Sequence, residues 1–343
     1  MPSATEIREY PPSDVSRFPF RGRTIAVGLF LGIDGGGSKT TCVVGDDARI
    51  LATATAGGSN VIRLGEAKAR ESLHQAIRGA CNAAQVDPQQ IARTCLGLSG
   101  GARAKVSDTV QKIIAGVVSG EVEVVGDSVT TLHAAFGGGP GIAVIAGTGS
   151  IAYGRAGDGK TARAGGWGFA ISDEGSGQWI GRTAISASLR ARDEQATSTL
   201  LREIPKAWGL ASVDELIPAA NASPAPDFSA LFPLVLACAN SGDEVARSVL
   251  TQAGTELAAI AKIVARQLFE EMDAIPVAMS GSVFRESALV RQIFNNSLRA
   301  KYPNVKVLPD VIDPVNGALE LARRGQRRQL SLGRQGKRAP KDV

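Results

Sequence analysis

Residues 27–34, V-G-L-F-L-G-I-D, form a short and mostly apolar run of the kind that makes a strand buried on both faces. Runs at 41–44 and 50–55 predict its neighbours, the first of them reached through a glycine turn. From about residue 65 to 85 the spacing changes. Leu73, Ile77, Ala80 and Ala84 recur at i, i+4, i+7 and i+11, which is one face of a helix. A strand over 94–98, a helix carrying Val106, Val110, Ile113, Ile114 and Val117, a strand over 122–125 and a helix over 128–135 complete a first α/β unit. The glycine run at 137–141 then marks a boundary. Directly after it, GIAVIAGTGSIAYGRAG (141–157) returns to strand, glycine turn with hydroxyl residues, and strand. This weak repeat of the opening predicts two similar halves facing each other. A glycine-rich loop over 165–177 follows, then helices to about 271, a strand over 275–279, a helix from about 285, an extended piece over 305–308 and a last helix over 314–322.

At 343 residues, with 44% apolar and 21% charged content, the chain suits a globular protein of two domains. The net charge of +5 says little about the body. From Arg323 onward eight cationic residues face Asp342 alone, so the rest is close to neutral. That basic run is read as a solvated end that does not order, and no nucleic-acid or membrane partner is expected. Cys42, Cys81, Cys95 and Cys238 are far apart and form no C-x-x-C pair, against a zinc or iron–sulfur site within one chain and in keeping with a reducing cytoplasm. The apolar run 24–33 follows Arg17, Arg21 and Arg23 but is too short to span a bilayer, so it is expected to be a strand. Residues 1–28 are expected to be a loose extension.

The two glycine turns suggest phosphate chemistry, because backbone N–H groups converge on an anion where no Cβ blocks them. Ser38, Lys39 and Thr40 in one turn, and Thr148 and Ser150 in the other, can add donors. Neither turn is a familiar motif. Gly37 is followed by Ser38 before Lys39 and then by strand, unlike a P-loop. GTGSIA (147–152) runs into strand where a dinucleotide fingerprint needs a helix. Asp34 and Asp127 both close strands at the edge where α/β sheets hold ligands. Phosphoryl transfer to an alcohol needs a carboxylate to accept the hydroxyl proton and an acidic group near Mg²⁺, so the pair fits that chemistry. GGWGFAISDEGSGQW (165–179) offers an aromatic face, Trp167, beside the carboxylates Asp173 and Glu174, as a polyol pocket does. Asn60 is a further candidate hydroxyl reader. His74 and His133 lack ligand-spaced partners and are read as structural.

In order, GIDGGGSKT (32–40), GLSG (97–100), GTGS (147–150), MSGSVF (279–284) and DPVNGALELA (313–322) resemble the five signature segments of the actin, heat-shock ATPase and sugar-kinase superfamily. GGSN (57–60), the Asp127 segment and GGWGFAISDEGS (165–176) look more narrowly like the N-acetylglucosamine kinases, in the group that includes the BadF/BadG/BcrA/BcrD ATPases. The resemblance implies an α/β protein with two ribonuclease-H-like domains around a central cleft. Residues 29–138 plus 312–324 would form one domain and 139–311 the other, with 325–343 as a basic tail. Gly36, Gly37, Ser38, Lys39, Thr40, Gly147, Thr148, Gly149 and Ser150 would bind the phosphates of ATP, and Gly281 and Ser282 would border its adenosine. Asp127 would be the general base, and Asn60, Asp127, Gly166, Trp167, Gly168 and Asp173 would hold the sugar. Mg²⁺ would be served by Asp34 through water. Ser172 stands where the family usually has glycine, which unsettles the loop that chooses between sugars.

The activity implied is ATP-dependent phosphorylation of a small amino sugar, N-acetylglucosamine at its 6-hydroxyl, in the cytoplasm, with a homodimer left open. The alternatives are a glucosamine or other hexose kinase, an ATP-driven activator of a 2-hydroxyacyl-CoA dehydratase-type partner, and a sugar sensor without catalysis. The activators bridge a cluster with cysteines, and none of the four here sits in an equivalent place.

Overall fold

The computed structural model describes residues 28–101, 103–270 and 273–335. The extension expected at the N-terminus lies outside them except for Gly28, as does the basic tail beyond residue 335. The first half contains β1 (Leu29–Gly35), β2 (Lys39–Gly45), β3 (Ile50–Gly57), α1 (Val61–Ala84), β4 (Ile91–Leu98), α2 (Ala104–Ala115), β5 (Glu121–Gly126) and α3 (Asp127–Phe136). The second contains β6 (Gly141–Ala146), β7 (Ser150–Arg155), β8 (Thr161–Gly165), α4 (Gly177–Asp193), α5 (Leu200–Ala207), α6 (Leu216–Ala220), α7 (Phe232–Asn240), α8 (Glu244–Leu268), β9 (Pro276–Ser280), α9 (Ser282–Glu286), α10 (Ala288–Lys301) and β10 (Lys306–Ile312). The chain closes with α11 (Pro314–Gln335).

The two sheets share one topology. The first runs β3-β2-β1-β4-β5, with β1–β2 and β2–β3 antiparallel and β1–β4 and β4–β5 parallel. The second runs β8-β7-β6-β9-β10, with the same sense at every pairing. The internal repeat is therefore real. It includes a strand the sequence reading missed: β8 begins at Thr161, before the loop expected at 165, because T-A-R-A-G carries no apolar run to announce it.

Side chains leave β1 alternately on two faces. Leu31 and Ile33 enter the core shared with α1 and α2, through Leu73, Ile77, Ile113 and Ile114. Phe30 goes to the other face with Val315, Leu319 and Ala322 of α11. Gly32 also lies under α11. A methyl there would overlap the backbone of Leu319, 2.8 Å from its Cα, so glycine lets the helix sit on the strand. α11 packs against α3 as well, and a methyl at Gly317 would collide with the Thr130 carbonyl and stand 2.7 Å from Ala134 N. The last helix thus packs on the first sheet. It also runs past residue 322 to Gln335, so part of the run expected to be an unordered end is helical. Arg323, the first residue of that run, is buried: its guanidinium donates to Asp46 O at 2.7 Å and Arg49 O at 2.8 Å, closing the β2–β3 turn. The first helix differs too. It starts at Val61, and the predicted start at Gly65 is an internal break with φ 80°. Among the described residues no helix is long and apolar enough to cross a membrane.

Gly317→Ala should cost about 2 kcal/mol by overpacking the α3–α11 crossing. Urea unfolding reads this directly, and an unchanged midpoint would show that the crossing tolerates a side chain.

Candidate active site

The turns at 36–38 and 147–149 face each other. Each is closed by a backbone bond across its base, Gly36 N to Lys39 O and Gly147 N to Gly149 O, both 2.9 Å. Their tips touch, with Ser38 Oγ 3.1 Å from Thr148 Oγ1. Between them lies a cavity of about 120 Å³ lined by Ser38, Gly147, Thr148, Ser229, Phe232 and Ser282, among others. Ligand pockets run to roughly 300 Å³ and more, so this cavity alone is smaller than a whole nucleotide needs. Gly281, with φ 97°, caps α9 beneath this cavity, and a methyl there would overlap Ala146.

Thr40 and Ser150 differ from the expectation. Both hydroxyls are buried inside the strand after their turn. Thr40 Oγ1 donates to Gly57 O at 2.7 Å and lies 2.8 Å from Ser59 Oγ. Ser150 Oγ donates to Glu174 O at 2.7 Å. Each hydroxyl holds a neighbouring segment in place, so of the hydroxyls in and after the two turns it is those of Ser38 and Thr148, at the tips, that belong to residues lining the cavity. Lys39 stays exposed at the start of β2.

Two strand-end aspartates stand beside the turns. Asp34 closes β1, and its carboxyl is pushed up to about 7, first by burial and then by the like charges of Asp127 and Asp313, against Lys39 and Arg285. Asp127 is the first residue of α3, capped by Gly126, so it is not itself the N-cap. Burial raises its carboxyl, and the bond from Ser128 N to Oδ1 at 2.9 Å pulls the other way. Its backbone oxygen accepts from Thr130 and Thr131, which fixes the turn that presents the side chain. Asp313 opens α11, accepting from Val315 N at 3.3 Å. The cluster is a place where added positive charge would be welcome.

The 165–176 loop brings one acid in and leaves its aromatic out. Asp173 adopts φ 63°, unusual for a residue with a side chain, and its Oδ1 accepts from Gly168 N at 3.4 Å. A methyl on Gly149 would lie 2.8 Å from Asp173 Oδ2, so this carboxylate rests on the second turn. Burial raises it as well, with Asp127 among the contributing charges. Trp167 is 66% exposed, its ring stacked under the Arg163 guanidinium at 4.3 Å. Gly166 and Gly168 have φ 71° and 107°, conformations that suit glycine. Ser172 is buried, 3.2 Å from Glu174 Oε2. Asn60 caps α1, its Oδ1 accepting from Ile62 N and Arg63 N. That leaves its amide N–H₂ to meet a ligand.

The sequence reading missed Ser229, Phe232 and Gln178. Gln178 is buried and donates through Nε2 to Asp227 Oδ1 at 2.8 Å, which leaves its Oε1 without a partner. A ribose or sugar hydroxyl suits such an acceptor. The tight glycine turns suit the phosphates of a nucleotide, while among the described residues no group of three or more His, Cys, Asp or Glu side chains is placed to hold a metal ion by itself.

Comparison with known proteins points the same way. The model of the BadF/BadG/BcrA/BcrD ATPase family matches residues 31–322. The chain is 30% identical over 298 residues to the N-acetylmuramic acid/N-acetylglucosamine kinase of Clostridium acetobutylicum, covering 85% of this chain and 97% of that one. It is 27% identical over 310 residues to the N-acetyl-D-glucosamine kinase of Dictyostelium discoideum, covering 86% and 97%. A candidate N-acetylglucosamine kinase from Chromobacterium violaceum superposes with a TM-score of 0.70 at 29% identity, over 87% of this chain and 99% of that one.

The Asp34 carboxyl, raised from its ordinary 3.8 to about 7, stabilises the fold fully below pH 3.8 and loses that contribution as pH rises toward 7. Asp34→Asn should therefore flatten the fall in stability between pH 4 and 7, read by denaturant melts in magnesium-free buffer. Parallel curves for the two proteins would acquit this group.

Proposed function

The chain belongs to the BadF/BadG/BcrA/BcrD ATPase family, and from that premise we propose that it is an ATP-dependent amino-sugar kinase that phosphorylates N-acetylglucosamine on its 6-hydroxyl. The observation that carries this is the meeting of two glycine turns, Ser38 against Thr148, beside strand-end carboxylates. Kinases named for N-acetylglucosamine at 27% and 30% identity over nearly their whole length support the substrate class.

In this mechanism the tips of the two turns hold the phosphates of ATP from opposite sides. Asp127 accepts the proton of the sugar hydroxyl as the oxygen attacks the terminal phosphorus. Its raised carboxyl is a better base than an ordinary aspartate, at the cost of being protonated sooner as pH falls. Asn60 and Asp173 orient the sugar from the two sides, with the backbone of 166–168 beneath it. Mg²⁺ would neutralise phosphate charge, with Asp34 reaching it through water. Closure of the cleft excludes water, so the sugar and not the solvent receives the phosphoryl group. The four buried, unpaired cysteines suit a reducing compartment, which fits a cytoplasmic enzyme.

The test is a coupled ADP-release assay across hexoses and amino sugars, including N-acetylmuramic acid because one relative is named for both substrates. N-acetylglucosamine should give the highest kcat/KM, and no sugar-dependent ADP release would overturn the assignment. Asp127→Ala should lose about 10²-fold or more in kcat while still binding ATP. The acid limb of kcat/KM should lie above the ordinary carboxylate range, since activity needs the ionised base. A limb near pH 4 would point to another base.

A further inference from the structure

Arg63 lies in the first turn of α1, and its backbone N–H is bonded by the capping side chain of Asn60 at 3.2 Å. Its guanidinium does not serve the first half alone. Nη2 meets Asp227 Oδ2, in the second half, at 2.5 Å. On the Arg63 side the group rests against the first turn: a methyl on Gly37 would sit 3.3 Å from Nη1 and 3.2 Å from Thr148 Oγ1. On the Asp227 side the carboxylate is held from three directions. Gln178 Nε2 donates at 2.8 Å, Ser229 N at 3.1 Å and Ser229 Oγ at 2.5 Å, all to Oδ1. Gln178 also donates its backbone N–H to Thr148 O at 3.2 Å, and Ser229 lines the cavity between the turns. A continuous path of bonds thus leads from Asn60 through Arg63, Asp227 and Gln178 to the second turn. It begins at the candidate sugar reader and ends where the phosphates are expected.

We propose that the Arg63–Asp227 ion pair is a clamp that couples the two substrates, so that sugar bound at Asn60 tightens the hold on nucleotide at Ser229 and Thr148. The inference rests on the amino-sugar kinase assignment. Sugar that settles against Asn60 orders the first turn of α1, and with it the guanidinium. The pair then draws the 227–229 segment onto the cavity. By linkage, nucleotide tightens the sugar by the same factor. Arg63 and Asp227 are positioning residues: neither needs to touch the reacting atoms. Both side chains are partly exposed, 29% and 42%, so the coupling should be modest and should weaken with salt. A planar guanidinium that meets a fixed carboxylate is a geometry lysine would not reproduce.

Calorimetry of ADP binding, with and without saturating N-acetylglucosamine, tests this in the wild type, Arg63→Met, Asp227→Asn and the reversed pair Arg63→Asp with Asp227→Arg. In the wild type the sugar should tighten ADP, and each single variant should lose about threefold of that tightening. The reversed pair should recover part of it, and the wild-type effect should shrink in high salt. Equal tightening in all four proteins overturns the clamp. So does a loss of ADP affinity without sugar in Arg63→Met that Asp227→Asn does not share, because Arg63 would then be a phosphate ligand. X-ray scattering of the nucleotide-free proteins gives a readout independent of the sugar: Arg63→Met should have a larger radius of gyration than the wild type, and an unchanged value argues against the clamp. If no sugar stimulates ADP release in the wild type, the kinase assignment falls while the scattering still reports on the ion pair.

Discussion

The close crossing of α11 over β1 and α3 is the constraint on which the rest of the molecule depends. It works because Gly32 and Gly317 carry no side chain where Leu319 and Thr130 come against them. Without that approach, the last helix could not bury Val315, Leu319 and Ala322 on the second face of the first sheet. The chain leaves the first half at 137–140, builds the second, and returns through α11. Two strands of chain therefore join the halves, and α3 and α11 pack where they pass. Arg155 reinforces one of them, donating to the carbonyls of Gly137 and Gly139.

Electrostatics give the cleft its character. The body of the chain is close to neutral, yet Asp34, Asp127, Asp173 and Asp313 are gathered near the two turns. Burial pushes the carboxyls of Asp34, Asp127 and Asp173 up, so ionising them where they stand is costly. A protein that selected only for stability would not keep such a cluster.

Much of this was legible from sequence because the frame is built from local signals. Glycine turns between apolar runs announced β1–β2 and β6–β7, and the similarity of the two announced the repeated topology. His74, read as structural, bonds Ile113 O at 3.0 Å, between α1 and α2. The misreadings have physical causes. Gly65, with its positive φ, hid the true start of α1, which Asn60 caps. Thr40 and Ser150 have the chemistry of phosphate donors, but strand position turned their hydroxyls inward. Arg323 looked like one more solvated cation, yet two turn carbonyls needed its donors. Ser229 and Phe232 gave no signal, because a cavity wall assembled from distant segments leaves no local pattern.

The matched topology has a consequence for how the halves are joined. Asp127 follows β5 as the first residue of α3, and Asp313 stands between β10 and α11. The two aspartates, and the two helices behind them, hold corresponding places in two sheets that share one strand order. Thr40 and Ser150 are counterparts as well, each paired across its hairpin with the last residue of the preceding strand. Those two helices meet where Gly317 leaves no room for a side chain against Thr130 and Ala134, only a few residues from the two acids. The duplicated frame thus sets the helices that follow its two sheets against each other at one tight contact, and that contact ties the acids of both halves to each other.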